Sequence, residues 1–205
     1  MGEFEIEQMD PREANAAAVT LARSFHDDPL FNFLIPDPLS QARAALTFMH
    51  SAIADARPFG EIWVARAGTG LAGVAAWLPP GRYPRGVRRE TQYISRDMRS
   101  VTRLGGRFLA GTRLQTAMQR THHRVEVPHW YLMLLGAEPT FRRQGAGTAL
   151  LQPVLARADA DGVPAYLETQ KAENVPWYHR FGFAVAEEIK VKGAPTMWAM
   201  RREPR

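Results

Sequence analysis

The alternation of apolar and polar residues divides the first part of the chain into strands and helices. Phe4 to Glu7 alternates between apolar and charged residues, which predicts a half-buried strand. Asp10-Pro11-Arg12-Glu13 provides an N-cap, a proline in the first turn and an acid at the third helical position. We therefore expect a helix that runs to about Phe25, then a loop from His26 to Pro38. A second helix is predicted from about Leu39 to Ala56.

Apolar runs bounded by turn residues predict the remaining elements. Two strands, Ile62 to Ala67 and Leu71 to Leu78, form a hairpin around Gly68-Thr69-Gly70. The second half reads as a strand, a helix, a strand, a short helix and two strands: His129 to Ala137, Gly145 to Ala160, Ala165 to Thr169, Val175 to Arg180, Phe183 to Val191 and Thr196 to Arg201. The strand–helix–strand order predicts one parallel, right-handed crossover. We expect a single α/β (α+β) domain over residues 1–205, with a mixed, mainly antiparallel sheet of about seven strands flanked by helices.

Composition narrows the classes of protein that fit this pattern. The chain has 205 residues, of which 45% are hydrophobic and 23% charged, as is ordinary for a globular domain with a sizeable core. It has no cysteine, so disulfides, thiolate metal sites and a cysteine nucleophile are excluded. No apolar run approaches the roughly 20 residues that span a membrane. Met1 to Gln8 is acidic and alternating, unlike a signal peptide, so a cytoplasmic location is expected.

Positive charge is concentrated in one segment. Arg82 to Arg124 contains eleven arginines against Glu90 and Asp97, and carries +9 in a chain of net charge +5. Such a segment could bind nucleic acid, but few aromatic residues interleave with the arginines, which favours two helices with solvent-facing arginines. The large apolar residues of the segment recur at near-helical spacing and predict a core-facing stripe: Ile94, Met98, Val101, Phe108, Leu114 and Met118. A break between the two helices is expected near Gly105-Gly106.

A glycine-containing loop follows the apolar strand of the second half. Arg142-Arg143-Gln144-Gly145-Ala146-Gly147 stands where the next helix begins, and backbone N–H groups at a helix start bind anions. The glycines allow a ligand to approach closely, and the arginines add positive charge, so a pyrophosphate is expected. A Walker A loop is excluded because the lysine is missing. Leu150 occupies the third glycine position of a dinucleotide fingerprint, which leaves an NAD(P)-dependent oxidoreductase as the weaker alternative.

Two motifs in this order resemble one superfamily. Arg142-x-x-Gly145-x-Gly147 after an apolar strand is similar to the acetyl-CoA loop of the GCN5-related N-acetyltransferase (GNAT) superfamily. The run from Asn174 through Tyr178 to Gly182-Phe183 resembles its Asn-x-x-x-Tyr helix and Gly-Phe strand entry. The resemblance implies a GNAT-like fold, with residues of about 82–128 as a helical insertion before the cofactor strand. It also implies acetyl-CoA as cofactor and transfer of an acetyl group to a primary amine of a small molecule, by direct attack in a ternary complex.

The resemblance also implies roles for particular residues. Tyr178 would be the general acid, and Asn174 would orient the cofactor or a water, unless it only caps its helix. A backbone N–H near Leu135 to Ala137 would stabilise the oxyanion, because Gly136 and Pro139 suggest a bulged or splayed strand there; close packing at Gly136 is the alternative. The predicted cofactor-binding residues are Leu135, Gly136, Ala137, Arg142, Arg143, Gln144, Gly145, Ala146, Gly147, Thr148 and Asn174.

Two residues compete for the role of general base. Glu168, at the end of the strand beside the cofactor strand, is the first candidate, acting through water; an ion-paired or surface carboxylate is its alternative. His129 is the second candidate, with a structural hydrogen bond as its alternative. His122-His123 lacks a third ligand at a recognisable spacing, so no metal site is predicted. The loop from His26 to Phe31 is the expected substrate lid, whose acids would favour a cationic amine.

The expected partner is therefore a small-molecule amine, with neither nucleic acid nor a membrane. The identity of the amine and the oligomeric state, including a homodimer, stay open at this point.

Overall fold

The computed structural model describes residues 4–93 and 107–205. Seven strands form one sheet: β1 Glu5–Gln8, β2 Glu61–Ala67, β3 Gly70–Leu78, β4 Trp130–Ala137, β5 Ala165–Thr169, β6 Ala184–Ile189 and β7 Met197–Arg202. Their order across the sheet is β1-β2-β3-β4-β5-β7-β6. The β4–β5 pair is parallel and the other five pairs are antiparallel. The predicted fold class, with a mixed and mainly antiparallel sheet of seven strands, is confirmed.

Helices cover both faces of this sheet. They are α1 Ala14–Ser24, α2 Pro29–Leu34, α3 Pro38–Ala56, α4 at residues 87–93, α5 Phe108–His123, α6 Ala146–Ala160 and α7 Asn174–His179. Short 3₁₀ turns precede α1 and follow β4, at Pro11–Glu13 and Pro139–Phe141. Helix α6 makes the predicted crossover between the parallel strands. Within the two described ranges, no helix is both long and apolar enough to cross a membrane.

Three helical segments begin at an Asp-Pro pair. The carboxylates of Asp10, Asp28 and Asp37 each accept a hydrogen bond from a backbone N–H two or three residues further on, which satisfies a donor that the first helical turn leaves free. The cap at Asp10 was predicted. The prediction of a loop from His26 to Pro38 is wrong, because Asp28-Pro29 starts helix α2 inside it.

The core forms two layers, one on each face of the sheet. The layer under α1, α3 and α5 contains Leu21, Met49, Ile53, Leu114, Tyr131 and Tyr166. The layer under α6 and α7 contains Trp77, Leu150, Leu151, Leu167, Tyr178 and Phe183. Successive side chains of a strand point to opposite faces, so on β5 Tyr166 lies in the first layer and Leu167 in the second. Glu168 therefore points to the same face as Tyr166.

The arginine-rich segment is more deeply packed than its composition predicts. The side chains of Arg85 and Arg89 are only 6% and 16% exposed, and both bind the buried carboxylate of Asp55. Arg85 Nε lies 2.8 Å from Asp55 Oδ2, and Arg89 Nε lies 2.6 Å from Oδ1. The prediction of solvent-facing arginines is wrong for these two, because they neutralise a carboxylate in the core and fix the segment against α3.

The predicted apolar stripe is partly correct. Leu114 is buried and Met118 packs against the same core layer, whereas Phe108 is 44% exposed. The rest of that prediction lies outside the described residues: Ile94, Met98, Val101 and the break near Gly105-Gly106.

Candidate active site

The two parallel strands at the centre of the sheet separate partway along their length. In the described part of the chain, β4 and β5 pair only over Trp130 to Leu132 and Ala165 to Leu167. β4 then continues to Ala137 beside β3. The edge of β4 that faces β5 therefore leaves the sheet's hydrogen bonding after Leu132, and its peptide groups are available to a ligand inserted between the strands.

A bulge in β4 lies at the point where the strands separate. Ala76 is opposite Leu134 and Trp77 is opposite Leu132, so Met133 is an extra residue with no partner on β3. Bulges bend a strand and re-aim its side chains, and they occur next to functional sites. The bulge that the sequence suggested near Leu135 to Ala137 lies instead at Met133. The splaying suggested for the same residues is present, because β4 has no pairing with β5 beyond Leu132.

Gly136 has a packing role. It is in regular register opposite Val74. A Cβ atom at this position would overlap the Oγ and Cβ atoms of Ser24, so the glycine lets helix α1 lie directly against β4. The alternative of close packing, considered for Gly136 from the sequence, is therefore sufficient to explain this residue.

The loop before α6 has backbone groups suited to an anion. Arg143 and Gly145 adopt left-handed conformations, with φ of 62° and 103°. Gly145 is the N-cap of α6, and no side chain caps the helix. The N–H groups of Ala146, Gly147 and Thr148 consequently lack acceptors within the helix and lie at the positive end of its dipole. Such an array binds phosphates, as the sequence predicts for this loop.

The other contacts of the loop connect it to the short helix α7. Arg143 and Gln144 are exposed, and Gln144 Nε2 donates to the carbonyl oxygen of Thr140 at 2.8 Å. A Cβ on Gly147 would lie 3.4 Å from the ring of Trp177. The start of α6 and the middle of α7 are thus in van der Waals contact, so a ligand on the loop is adjacent to α7.

Arg142 binds the segment that was predicted to be a substrate lid. Its guanidinium donates to the Asp27 carboxylate at 3.0 and 3.1 Å and to the Ser24 carbonyl oxygen at 2.6 Å. Lys171 Nζ lies 2.6 Å from the same carboxylate. Hydrogen bonds from Arg142 and Lys171 hold the pKa of Asp27 well below its usual range. Asp28 is 2% exposed and caps α2. The role expected for these two acids, meeting a cationic amine, is wrong because both carboxylates already have partners.

Helix α7 carries the predicted Asn-x-x-x-Tyr motif. Asn174 is its first residue, and Nδ2 donates to Thr169 Oγ1 at 3.2 Å, which ties the helix to the end of β5. The N-cap position belongs to Glu173, so the capping alternative for Asn174 is wrong. Tyr178 follows one turn later, 7% exposed, with the rings of Trp177 and Phe183 packed against it. Burial raises the pKa of Tyr178, so its phenol keeps its proton at neutral pH.

Glu168 lies on the opposite face of the sheet, in a chain of buried polar groups. Its side chain is 5% exposed, and Oε1 lies 3.3 Å from His122 Nδ1. His122 Nε2 lies 2.9 Å from His129 Nε2. His129 Nδ1 lies 2.8 Å from the Val127 carbonyl oxygen. The two rival candidates for the base, Glu168 and His129, are therefore parts of one network joined by His122. Of the two alternatives considered for Glu168, the surface carboxylate is wrong, whereas the contact with His122 agrees with the ion-paired carboxylate.

Three tyrosines enclose this network, which we call the Glu168–His122–His129 array. The ring centroids of Tyr83, Tyr131 and Tyr166 lie 4.2, 4.7 and 4.4 Å from that of His122. Burial, and then the charge of Glu168, raise the pKa of all three, that of Tyr83 to about 12. The three phenols therefore stay neutral, and the array is surrounded by aromatic surface in which electrostatic interactions are strong.

His122 was not predicted to belong to the site. From the sequence, His122 was considered only together with His123 as a possible metal ligand, and no metal site was predicted. In the part of the chain that the structure describes, no group of three acidic or histidine side chains could hold a metal ion. A signal was nevertheless present. Leu114, Met118 and His122 are four residues apart, which puts them on one face of helix α5, whereas His123 lies off that face and is exposed.

Known proteins share this architecture. The model of the acetyltransferase (GNAT) family matches residues 28–183. An uncharacterized N-acetyltransferase of Schizosaccharomyces pombe is 26% identical over 194 residues, covering 89% of this chain and 75% of that protein. A Corynebacterium glutamicum structure described as histone acetyltransferase HPA2 and related acetyltransferase has a TM-score of 0.72 at 24% identity, covering 100% of this chain and 98% of that one. The PaiA N-acetyltransferase of Thermoplasma acidophilum, in complex with coenzyme A, has a TM-score of 0.59 at 11% identity, covering 98% and 99%. At these identities, the two solved structures show a shared fold.

Proposed function

Because this chain belongs to the acetyltransferase (GNAT) family, it is an N-acetyltransferase that uses acetyl-CoA, and we propose that its acceptor is a primary amine of a small molecule. In this proposal the amine attacks directly, in a ternary complex of enzyme, cofactor and acceptor. The observation that supports it most is that Glu168 is a buried carboxylate on β5 just beyond the point where β4 and β5 separate, while the buried phenol of Tyr178 lies in the core layer on the other face of the sheet.

The cofactor fits the residues around this opening. The uncapped N–H groups at the start of α6 suit its pyrophosphate, and the left-handed Gly145 keeps that approach free of a side chain. The released edge of β4 suits the amide-containing arm, and Asn174 is held at the end of the neighbouring strand, β5, by its bond to Thr169. Bound there, acetyl-CoA would supply an activated thioester. The proposed contacts are those of Leu135, Gly136, Ala137, Arg142, Arg143, Gln144, Gly145, Ala146, Gly147, Thr148 and Asn174.

Proton transfers are assigned to two residues. A primary amine has a pKa near 10 and is mostly protonated at neutral pH, so the attack requires a base. In the proposal, Glu168 takes that proton, directly or through a water. Tyr178, whose buried phenol is neutral, supplies a proton to the departing sulfur and regains one from the second N–H that the attacking nitrogen loses as the amide forms. A backbone N–H between Leu135 and Ala137 stabilises the oxyanion.

A more specific sequence resemblance guides the choice of amines to test as acceptors. Gly162 to Thr169, Asn174 to Phe183 and Trp198-Ala199-Met200 resemble the corresponding segments of puromycin N-acetyltransferase. Aminonucleosides therefore belong in any acceptor panel, beside polyamines, amino acids and peptide N-termini. The aromatic surroundings of Glu168 favour an amine with an apolar body.

Initial-velocity kinetics test the proposed order of events. With acetyl-CoA and an accepted amine varied together, direct attack in a ternary complex gives intersecting double-reciprocal lines. Parallel lines, the signature of a covalent acetyl-enzyme, would contradict the proposal. The variant Glu168→Gln should show the same pattern of lines at a lower rate, because it loses the base and keeps the cofactor site.

A further inference from the structure

We propose that Glu168 and His122 share a single proton and act as one acid–base unit, while His129 fixes which nitrogen of His122 faces the carboxylate. The carboxylate, the two imidazoles and the Val127 carbonyl form an unbroken series of contacts of 3.3, 2.9 and 2.8 Å. The catalytic consequence rests on the proposed function, but the shared proton itself does not.

The number of protons follows from the donors and acceptors in that series. The Val127 carbonyl can only accept, so Nδ1 of His129 carries a hydrogen. Neutral His129 then has a bare Nε2, so Nε2 of His122 must donate to it. Neutral His122 would in turn present a bare Nδ1 to Glu168, and an ionised carboxylate has no hydrogen to donate. Two acceptors would then face each other at 3.3 Å. One additional proton resolves this conflict.

That proton lies between Glu168 and His122. On Glu168 it would be donated to Nδ1 of the imidazole, and on His122 it would be donated to the carboxylate; both arrangements satisfy every group of the array. Placing it on His129 is disfavoured, because burial lowers the pKa of His129. With one shared proton the array is electrically neutral overall, which suits groups as buried as Glu168 and His122, at 5% and 1% side-chain exposure.

Within residues 4–93 and 107–205, no other group supplies a counter-charge at hydrogen-bond distance from the Glu168 carboxylate. The phenols of Tyr83, Tyr131 and Tyr166 stay neutral because burial raises the pKa of each. Acidic and basic side chains on other elements also act on the array and its tyrosines through space. They are Asp55, Arg85, Glu90, Glu187 and Arg201. Among the described residues, His122 is the basic side chain that contacts the Glu168 carboxylate.

The shared proton changes how the base works. The pair first releases its proton to water, and an oxygen lone pair of Glu168 then accepts a proton as an N–H bond of the acceptor ammonium breaks. The proton becomes shared with His122, and it returns to water after the product leaves. His122 is a positioning residue in this scheme, because it holds the proton through Glu168 and does not touch the substrate.

Equilibrium unfolding tests the shared proton without any activity measurement. Glu168→Gln offers an amide N–H to His122 Nδ1, so its array is complete with no additional proton. In the unfolded chain above about pH 7, Glu and His side chains carry no such proton, given ordinary pKa values of about 4.3 and 6.5. The folded wild type therefore binds about one proton more than its unfolded state, and its stability falls as the pH rises.

The expected result is that the ratio of the two folding constants, wild type over Glu168→Gln, depends on pH. Between about pH 7 and pH 9, the folding constant of the wild type divided by that of Glu168→Gln falls about tenfold per pH unit, for as long as the pair keeps its proton. A ratio that does not depend on pH would overturn the proposal. If Glu168→Gln does not fold, ¹⁵N NMR of the wild type decides: Nδ1 of His122 should have the shift of a protonated or strongly hydrogen-bonded nitrogen. The shift of a bare, unbonded nitrogen would overturn the proposal equally.

A kinetic cycle tests the catalytic consequence. We expect His122→Gln to displace the acid limb of the kcat/KM profile, and the double variant with Glu168→Gln to be no slower than Glu168→Gln alone. His123→Gln, next to it on α5 and exposed, is the matched control and should keep the wild-type profile. If the pH profile of His122→Gln does not shift, and the rate losses of the two single variants multiply in the double variant, His122 has only a structural role. An absence of acetyl transfer to any amine, with the unfolding result as expected, would contradict the proposed function and leave the shared proton standing.

Discussion

Tyr178 is the residue whose removal should affect the chemistry with the least effect on the structure. Its ring packs between Trp177 and Phe183, and Tyr178→Phe keeps that packing while it deletes the hydroxyl. We expect kcat to fall on the order of 10²-fold or more, as for the loss of a general acid, with little change in the affinity for acetyl-CoA. Steady-state kinetics and calorimetric titration of acetyl-CoA measure the two quantities.

The control for this prediction is Tyr93→Phe, the same chemical change on helix α4. It should leave kcat within about twofold of the wild type, because the ring keeps its contacts with Phe48 and Arg85 and Tyr93 has no part in the proposed mechanism. A Tyr178→Phe enzyme as fast as Tyr93→Phe would remove Tyr178 from the mechanism.

Asp28 makes a prediction about stability and its dependence on pH. Asp28→Ala removes the cap of α2 and should cost about 1 kcal/mol, whereas Asp28→Asn keeps a capping oxygen. Burial raises the pKa of Asp28 above its unfolded value, so the folded state binds the proton more tightly and stability falls as the pH rises through that interval. Asp28→Asn should therefore be at least as stable as the wild type at neutral pH.

Thermal unfolding of both variants between about pH 4 and pH 7 measures this. The advantage of Asp28→Asn should shrink as the pH falls, because the folded wild type then takes up a proton on the Asp28 carboxyl. Equal losses in Asp28→Asn and Asp28→Ala would show that the side chain does more than cap the helix and carry a buried charge.

At the scale of elements, the two ends of α6 offer a matched pair of glycines, Gly145 before the helix and Gly162 after it. Gly145 and Gly162 both have positive φ, 103° and 65°, and both face open space, so alanine at either site meets backbone strain alone. Each substitution should cost about 1 kcal/mol of stability. Only Gly145→Ala should also weaken acetyl-CoA binding, since it disturbs the N–H groups of the first turn. Isothermal titration with both variants checks this, and equal affinities would contradict the assignment of the loop.

Local sequence patterns predicted most of the helices and strands, and the features that they failed to predict have physical explanations. All seven strands and helix α6 follow from short-range alternation and from turn glycines, which act within a few residues. Helix α2 was missed although Asp28-Pro29 carries the same start signal as Asp10-Pro11, because its six residues are too short to show a helical period. The bulge at Met133 depends on the registers of two neighbouring strands, and no local pattern in β4 encodes it.

At the scale of the whole molecule, the features that escaped prediction join distant parts of the chain. His122 and Glu168 are 46 residues apart, and Arg89 and Asp55 are 34 apart. The sequence identified Tyr178 as a candidate through the family resemblance, and Glu168 through its position at the end of the strand beside the cofactor strand. It could not show that Glu168 is paired with His122, or that Asp27 is paired with Arg142, because those contacts exist only once the sheet and its helices have assembled.

Ligand-induced stabilisation belongs to this scale, since binding to the native state stabilises the whole fold. At a concentration 100-fold above its Kd, acetyl-CoA should contribute about 2.7 kcal/mol. For a chain of this size we expect the Tm to rise by about 5–10 °C. NAD at the same concentration is the control and should leave the Tm unchanged. Stabilisation by NAD alone would reinstate the dinucleotide interpretation of the Gly145 loop.

The most direct test of the central claim is a thiol-release assay with acetyl-CoA across a library of amines, read together with mass spectrometry of the products. The account predicts that coenzyme A is released in step with an N-acetylated primary amine, and that Glu168→Gln and Tyr178→Phe both slow this release with the same amine. Release without an amine product, or none with any small primary amine while acetyl-CoA binds normally, would contradict it.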